Sequence, residues 1–171
     1  MKIKIRKIKS NDREWTKDVF VRRWSGDFIV SRGKIHRPKE LDGFIAEIDN
    51  KKKGLITFRA ANREIEIVSL DSFLKRKGIG TALLDKVLDF AERKRVKRVW
   101  CITTNDNLNA LRFYQTKGFN LIKIYPNALK ISRKLKPGIP LVGNYGIPIR
   151  DEIELEKRHN NLKDFNKKFN R

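Results

Sequence analysis

The sequence predicts an α/β domain whose mixed, largely antiparallel sheet of about seven strands is flanked by helices. Three observations carry that reading. Short β-branched and aromatic runs are bounded by turn residues, apolar spacing turns helical from Ile79, and strands alternate with helices after that point. A chain of 171 residues leaves room for one core and little for a second. Hydrophobic residues make up 39% and charged residues 36%, and ten Phe, three Trp and three Tyr argue for a packed core instead of disorder.

The first eight residues alternate charge with isoleucine, the pattern of a strand and not of a signal peptide. Ser10, Asn11 and Asp12 offer N-cap chemistry for a helix through Trp15, Val19 and Phe20 to about Trp24. Residues 25–41 hold Gly26, Gly33 and Pro38 around one short apolar run, so a loop-rich, short-stranded stretch is expected. Residues 43–49 and 54–60, with a turn at 50–53, read as an antiparallel hairpin, which residues 64–70 extend. Ile79, Leu83, Val87 and Ala91 recur at helical spacing up to Arg93. Residues 97–103 form an apolar, central strand, and residues 107–117 a helix stopped by Gly118. A strand at 119–125, a short helix at 126–135, a Pro/Gly-rich loop at 137–148 and a last strand at 149–156 complete the domain. Its expected extent is 1–157, followed by a basic, Asn-rich tail at 158–171.

The longest apolar runs, such as residues 99–102, are far short of the roughly 18 residues of a spanning helix, so no membrane partner and a cytoplasmic location are expected. One cysteine, Cys101, excludes an internal disulfide, and with only His36 and His159 beside it no metal site is expected. Cys101 lies inside an apolar strand with no histidine nearby, which favours a core role over a nucleophilic one. The 41 Lys and Arg against 20 Asp and Glu give +21, a field that attracts nucleic acid, an acidic protein or a phosphate-rich cofactor. A Lys-rich surface bias gives the same balance, so charge alone does not decide the function.

Chemistry concentrates in two places. Lys75-Arg76-Lys77-Gly78-Ile79-Gly80-Thr81 falls between a strand and a helix. Glycines there let backbone N–H groups converge on an anion, and the helix start adds unpaired donors and partial positive charge. A purely structural turn is the alternative reading of that loop. Further on, Asn107, Ala110, Phe113, Tyr114, Gly118 and Phe119 mark a helix that, taken alone, is an ordinary amphipathic one. Their combination in one order and at close spacing is more specific.

With these two motifs the chain resembles the GNAT superfamily of acetyl-CoA-dependent N-acetyltransferases over roughly residues 1–125. The family's loop pattern falls on Lys75, Gly78 and Gly80, with Lys75 departing from the usual Gln or Arg, and Arg76 standing where many members have glycine. The resemblance implies splayed central strands and a bulged strand at residues 64–70. There the backbone of Val68, Ser69 and Leu70 holds the pantetheine arm, and one N–H, of Val68 or Leu70, faces the thioester carbonyl. It further implies acetyl-CoA as cofactor, held by Lys75, Arg76, Lys77, Gly78, Ile79, Gly80 and Thr81 and lined by Asn107, Ala110, Phe113 and Tyr114. Tyr114 is then the acid for the leaving thiolate. Glu66, or Glu64 on the same strand face, is the base for an amine that is mostly protonated at neutral pH. Both glutamates, and Asn107 as a plain N-cap, also have ordinary structural readings.

The acceptor site is expected from residues 24–41 and 137–149, with Arg32 and His36 as substrate contacts. The partner is a small-molecule or peptide amine bound by a monomer or homodimer, with weak nonspecific nucleic-acid binding besides. The competing class is a GNAT-fold nucleic-acid- or ribosome-associated protein whose cofactor site is vestigial or regulatory.

Overall fold

The computed structural model describes residues 2–158. The chain runs β1 (Lys4–Lys7), α1 (Arg13–Trp24), β2 (Ile29–Ser31), β3 (Lys34–His36), β4 (Asp42–Ile48), β5 (Lys51–Ala61) and β6 (Glu64–Ser72). It continues with α2 (Ile79–Arg93), β7 (Arg98–Thr104), α3 (Leu108–Thr116), β8 (Asn120–Tyr125), α4 (Ala128–Leu135) and β9 (Glu152–Arg158). Seven strands form one sheet in the order β1-β4-β5-β6-β7-β9-β8, and β2 with β3 makes a separate hairpin. Among the described residues only the β6–β7 pair is parallel.

Strand alternation gives the sheet two apolar faces. Phe44, Ile56, Phe58, Ile65, Ile67, Val99 and Leu155 meet Ile79, Leu83, Leu84, Val87 and Ala91 of α2, the helical stripe expected from the spacing. Gly54 permits that close approach, since a Cβ there would lie 2.5 Å from Ile79 Cγ2. On the opposite face Ile45 and Leu55 meet Val19 and Phe20 of α1, with Leu41 completing the cluster. Leu83 and Leu84 are fully buried, so truncating either to Ala costs about 2–5 kcal/mol.

The β4–β5 turn falls at Asp49-Asn50, tighter than the expected 50–53, because both residues adopt positive φ (49° and 58°) and so close a two-residue hairpin. Asn62-Arg63 does the same between β5 and β6, and Arg32-Gly33 between β2 and β3. Asp12 precedes α1 but does not cap it with its side chain. A 3-10 turn at Ser10–Asp12 instead delivers its buried carboxylate to Arg6 (2.6 Å), Lys52 (2.8 Å) and the Lys9 N–H (2.9 Å). α4 starts after Asn127, whose φ of 59° is not helical. The last strand starts three residues later than expected, since Ile149 N donates to Leu141 O and Asn105 Oδ1 accepts from Asp151 N, which leaves 149–151 to the preceding loop. β9 runs to Arg158, one residue past the expected boundary, and the expected tail otherwise lies outside the described residues. Among those residues no helix is long and apolar enough to cross a membrane.

Candidate active site

β6 and β7 pair from Glu64↔Arg98 only as far as Ile67↔Cys101. On the other side of β6, Phe58 pairs with Ile67 and Thr57 with Ser69, so Val68 is an extra residue, a bulge. Beyond it β6 stays with β5, while residues 102–104 of β7 follow β9. The strands part, and a cavity of about 300 Å³ opens between them. Val68, Ser69, Leu70, Gly80, Asn107, Ala110, Phe113 and Tyr114 line it, so eight of the expected cofactor residues share one space. The Ser69 hydroxyl is engaged with Thr57 Oγ1 at 2.8 Å, which ties the strand down opposite the bulge.

The start of α2 stands at the same cleft. Gly78 precedes it at φ 73°, a left-handed conformation that favours glycine, and a Cβ there would meet nothing within 4 Å. The first helical bond runs from Ala82 N to Gly78 O at 2.9 Å, so the N–H groups of Ile79, Gly80 and Thr81 have no carbonyl within the helix to reach. A Cβ on Gly80 would lie 3.8 Å from Phe113, an ordinary contact, so the bare position leaves room for a ligand. Lys75, Arg76 and Lys77 are exposed beside it, whereas the Ile79 side chain is buried in the core and offers only its backbone. This combination of glycine, unpaired N–H groups and cations fits a phosphate-rich cofactor.

Tyr114 closes the inner end. It is buried, edge-on to Phe113 (5.3 Å) and tilted against Phe119 (5.2 Å), with its hydroxyl directed at Cys101. Burial pushes both the phenol and the Cys101 thiol well up, so Tyr114 holds its proton and Cys101 is no nucleophile. Asn107 Oδ1 accepts the Ala110 N–H at 3.1 Å, the capping bond of α3, while the residue also lines the cleft.

A second cavity of about 330 Å³ continues past a waist formed by Trp24, Val68, Thr103 and Asn107. Ser25, Ile29, Val30 and Ser31 wall it on one side and Ile139, Pro140, Asn144 and Ile149 on the other, the two regions expected to shape the acceptor site. Buried Asp106 accepts from Asn144 N (2.9 Å) and Nδ2 (2.8 Å), and Arg133 donates to the carbonyls of Ile139, Pro140 and Ile149, which fixes the long loop. Lys136, also buried, donates to Trp24 O and Phe28 O where α1 ends. Glu152 accepts from Arg32 N at 2.9 Å and from Ser132 Oγ at 3.3 Å, and burial raises its pKa.

The sequence pattern of the acetyltransferase (GNAT) family matches residues 9–119. The chain belongs to the GNAT family. It is 43% identical over 139 residues to the uncharacterized Bacillus subtilis protein YxbD, covering 81% of this chain and 87% of that protein. Among solved structures it is similar to the IAA acetyltransferase of Bacillus cereus, with a TM-score of 0.68, 19% identity, and 92% and 100% of the two chains covered. It is also similar to a GNAT family acetyltransferase from Elizabethkingia anophelis with acetyl-CoA bound, with a TM-score of 0.67, 20% identity, and 92% and 98% covered. At those identities the structural likeness shows the fold.

Not every expected residue reaches the GNAT cleft. Glu64 is held by Arg98 at 3.0 Å, and the same guanidinium binds Glu154 and Glu156 at 2.9 Å. Glu66 is buried behind the β2–β3 hairpin, 3.4 Å from Ser31 Oγ, and borders a separate polar cavity of about 210 Å³. Arg32, an expected substrate contact, stacks 4.3 Å over Tyr125 and points to Glu154. His36, the other, is buried beside Ser31 and Glu66; neither lines the two joined cavities. The sequence places Trp24 and Ser31 only within the broad acceptor region 24–41 and does not single out Asp106, Lys136 or Glu152. For Glu152 a signal existed, since alternating Glu152, Glu154 and Glu156 put three carboxylates on one face of β9.

Proposed function

We propose that this GNAT protein is a cytoplasmic, acetyl-CoA-dependent N-acetyltransferase that acylates a primary amine by direct attack within a ternary complex. The observation that carries the reading is the parting of β6 and β7 at Val68, with Tyr114 at the inner wall and the glycine-flanked start of α2 at the outer end. Bound in that cleft, acetyl-CoA supplies an activated acetyl thioester.

Lys75, Arg76 and Lys77, with the N–H groups of residues 78–81, hold the pyrophosphate by charge-assisted hydrogen bonds. Backbone groups of Val68, Ser69 and Leu70 on the side of β6 that β7 leaves after Ile67 would take the pantetheine amides, and an N–H of Val68 or Leu70 would stabilise negative charge developing on the thioester carbonyl oxygen. Asn107, Ala110 and Phe113 form the far wall. Tyr114, kept protonated by its burial, gives a proton to the departing sulfur. An alkylammonium of pKa about 10.4 must lose a proton before it can attack, and Glu66, whose pKa burial raises, is the acceptor of that proton. The acceptor amine enters from the second cavity, where apolar Ile29, Val30, Ile139 and Ile149 face it beside buried carboxylates.

Thiol release from acetyl-CoA, followed across alkylamines, amino acids and peptide N-termini, tests the proposal. Amine-dependent release is expected. A protein that binds acetyl-CoA yet releases thiol with none of these amines contradicts it.

A further inference from the structure

Glu66 does not line the cleft, whereas Ser31 lines the acceptor cavity and lies between that cavity and the carboxylate. Ser31 Oγ is 3.4 Å from Glu66 Oε1 and 3.2 Å from His36 Nε2, and His36 Nε2 is 3.7 Å from the same carboxylate oxygen. A hydroxyl has one proton to donate and two lone pairs. With Nε2–H of His36 donating to Oγ and the hydroxyl proton on Glu66, one lone pair is left for a group in the cavity.

We propose that Ser31 is the proton relay of this site, taking a proton from the acceptor ammonium as it passes its own to Glu66, with His36 orienting the hydroxyl. The inference rests on the N-acetyltransferase reading above and supplies the contact between cleft and base that Glu66 alone lacks.

The protons balance. Two leave the nitrogen as an alkylammonium becomes an amide. The first moves from N to Ser31 Oγ while the Ser31 proton moves to Glu66 Oε1, leaving a neutral amine. The nitrogen lone pair then forms the N–C bond, and the C–S pair departs with sulfur. The second nitrogen proton makes good the one that Tyr114 gives to sulfur. Glu66 returns its proton to water through the polar cavity it shares with Lys34, Arg59, Glu64 and Trp100, so one proton reaches solvent on the side away from the substrates. Around Glu66 stand Arg32 at the hairpin turn, Lys34 on β3 and Arg59 on β5, cations that favour its return to the carboxylate, with the His36 ring of β3 beside them. Burial holds His36 below its ordinary pKa, so the ring stays neutral and is a donor, not a competing base.

The test compares wild type, Ser31→Ala and Ser31→Thr on the amine that gives the fastest thiol release, from pH 6 to 10. Ser31→Ala is expected to lose at least tenfold in kcat at pH 7 with KM within threefold. The loss should shrink as pH approaches the pKa of the amine, where no relay is needed, and Ser31→Thr should recover most of it. A loss of the same size at every pH marks a structural role and overturns the relay, as does a rate within twofold of wild type throughout. Nitrogen-15 spectra of His36 at pH 7, assigned against His159→Gln, test the same geometry without an acceptor. A neutral ring protonated on Nε2, with that signal moved by Ser31→Ala, is expected; a ring protonated on Nδ1 alone, or an imidazolium, overturns the proposal. Failure of the acetyltransferase reading would show separately, as wild-type protein that releases no thiol.

Discussion

Trp24 Nε1 donates to Asp71 Oδ2 at 3.1 Å, joining the last residue of α1 to β6 three residues beyond the bulge. Asp71 is buried, with Arg23 Nε at 3.6 Å as its other partner, and burial raises its pKa. The indole therefore serves two purposes: it satisfies a buried carboxylate, and it forms the waist between the two cavities. Trp24→Phe keeps a ring but deletes the donor, which should cost about 1–3 kcal/mol of stability and raise KM for both substrates. Urea unfolding and steady-state kinetics check this. Unchanged KM values would separate Trp24 from the cleft.

Tyr114→Phe removes only a hydroxyl between two aromatic neighbours, so the fold and cofactor affinity should persist. Turnover should fall by roughly 10²- to 10⁴-fold, the range of a general acid. Turnover within twofold of wild type, with chemistry rate-limiting, would mean that water protonates the sulfur.

Asp12 supplies a pH dependence of stability. Arg6, followed by Lys52 and the Lys9 N–H, holds its carboxyl well below the usual range, so the folded state binds its proton less readily than the unfolded chain. The stabilisation is complete above the ordinary carboxylate pKa of about 3.9 and is lost as pH falls below it. Asp12→Asn should therefore cost about 1–3 kcal/mol at pH 7, and its deficit should narrow as pH drops below 4. A deficit independent of pH in denaturant titrations would contradict this account.

Burial sharpens the charge imbalance. Eight acidic residues among those described are buried (Asp12, Glu66, Asp71, Asp106, Asp151, Glu152, Glu154 and Glu156), so solvent meets a surface still richer in cations than +21 conveys. Weak nucleic-acid binding that falls steeply with salt and vanishes by physiological ionic strength is expected. Filter binding across salt concentrations checks it. Sub-micromolar affinity at physiological salt with a preferred sequence would favour a nucleic-acid-directed protein.

What the sequence made legible follows from how local each signal is. α2 could be placed to the residue because its stripe and the preceding Gly78 both lie within the helix and its cap. The bulge at Val68 has no such signature; it is an apolar strand residue like its neighbours, and only likeness to a family pointed to it. Spacing by two correctly put Glu64 and Glu66 on one face, but which space each meets is decided elsewhere. Arg98, 34 residues on, takes Glu64, and the hairpin carrying Ser31 and His36 covers Glu66. A place in a basic loop marks Arg32 and His36 as acceptor contacts, yet the Arg32 amide is held by Glu152, and on the same hairpin it is Ser31 that lines the cavity.

The proposed chemistry requires that the cleft between β6 and β7, opened at Val68 and headed by α2, bind acetyl-CoA. Calorimetric titration of acetyl-CoA into wild type and Gly80→Asp tests it most directly. Gly80 has no positive φ, and a Cβ there meets only ordinary contacts, so the variant should fold while placing bulk and negative charge at the phosphate position. One site per chain is expected in the wild type, and at least tenfold weaker binding in the variant. Equal affinity in a folded Gly80→Asp protein, or no binding to the wild type, would contradict it.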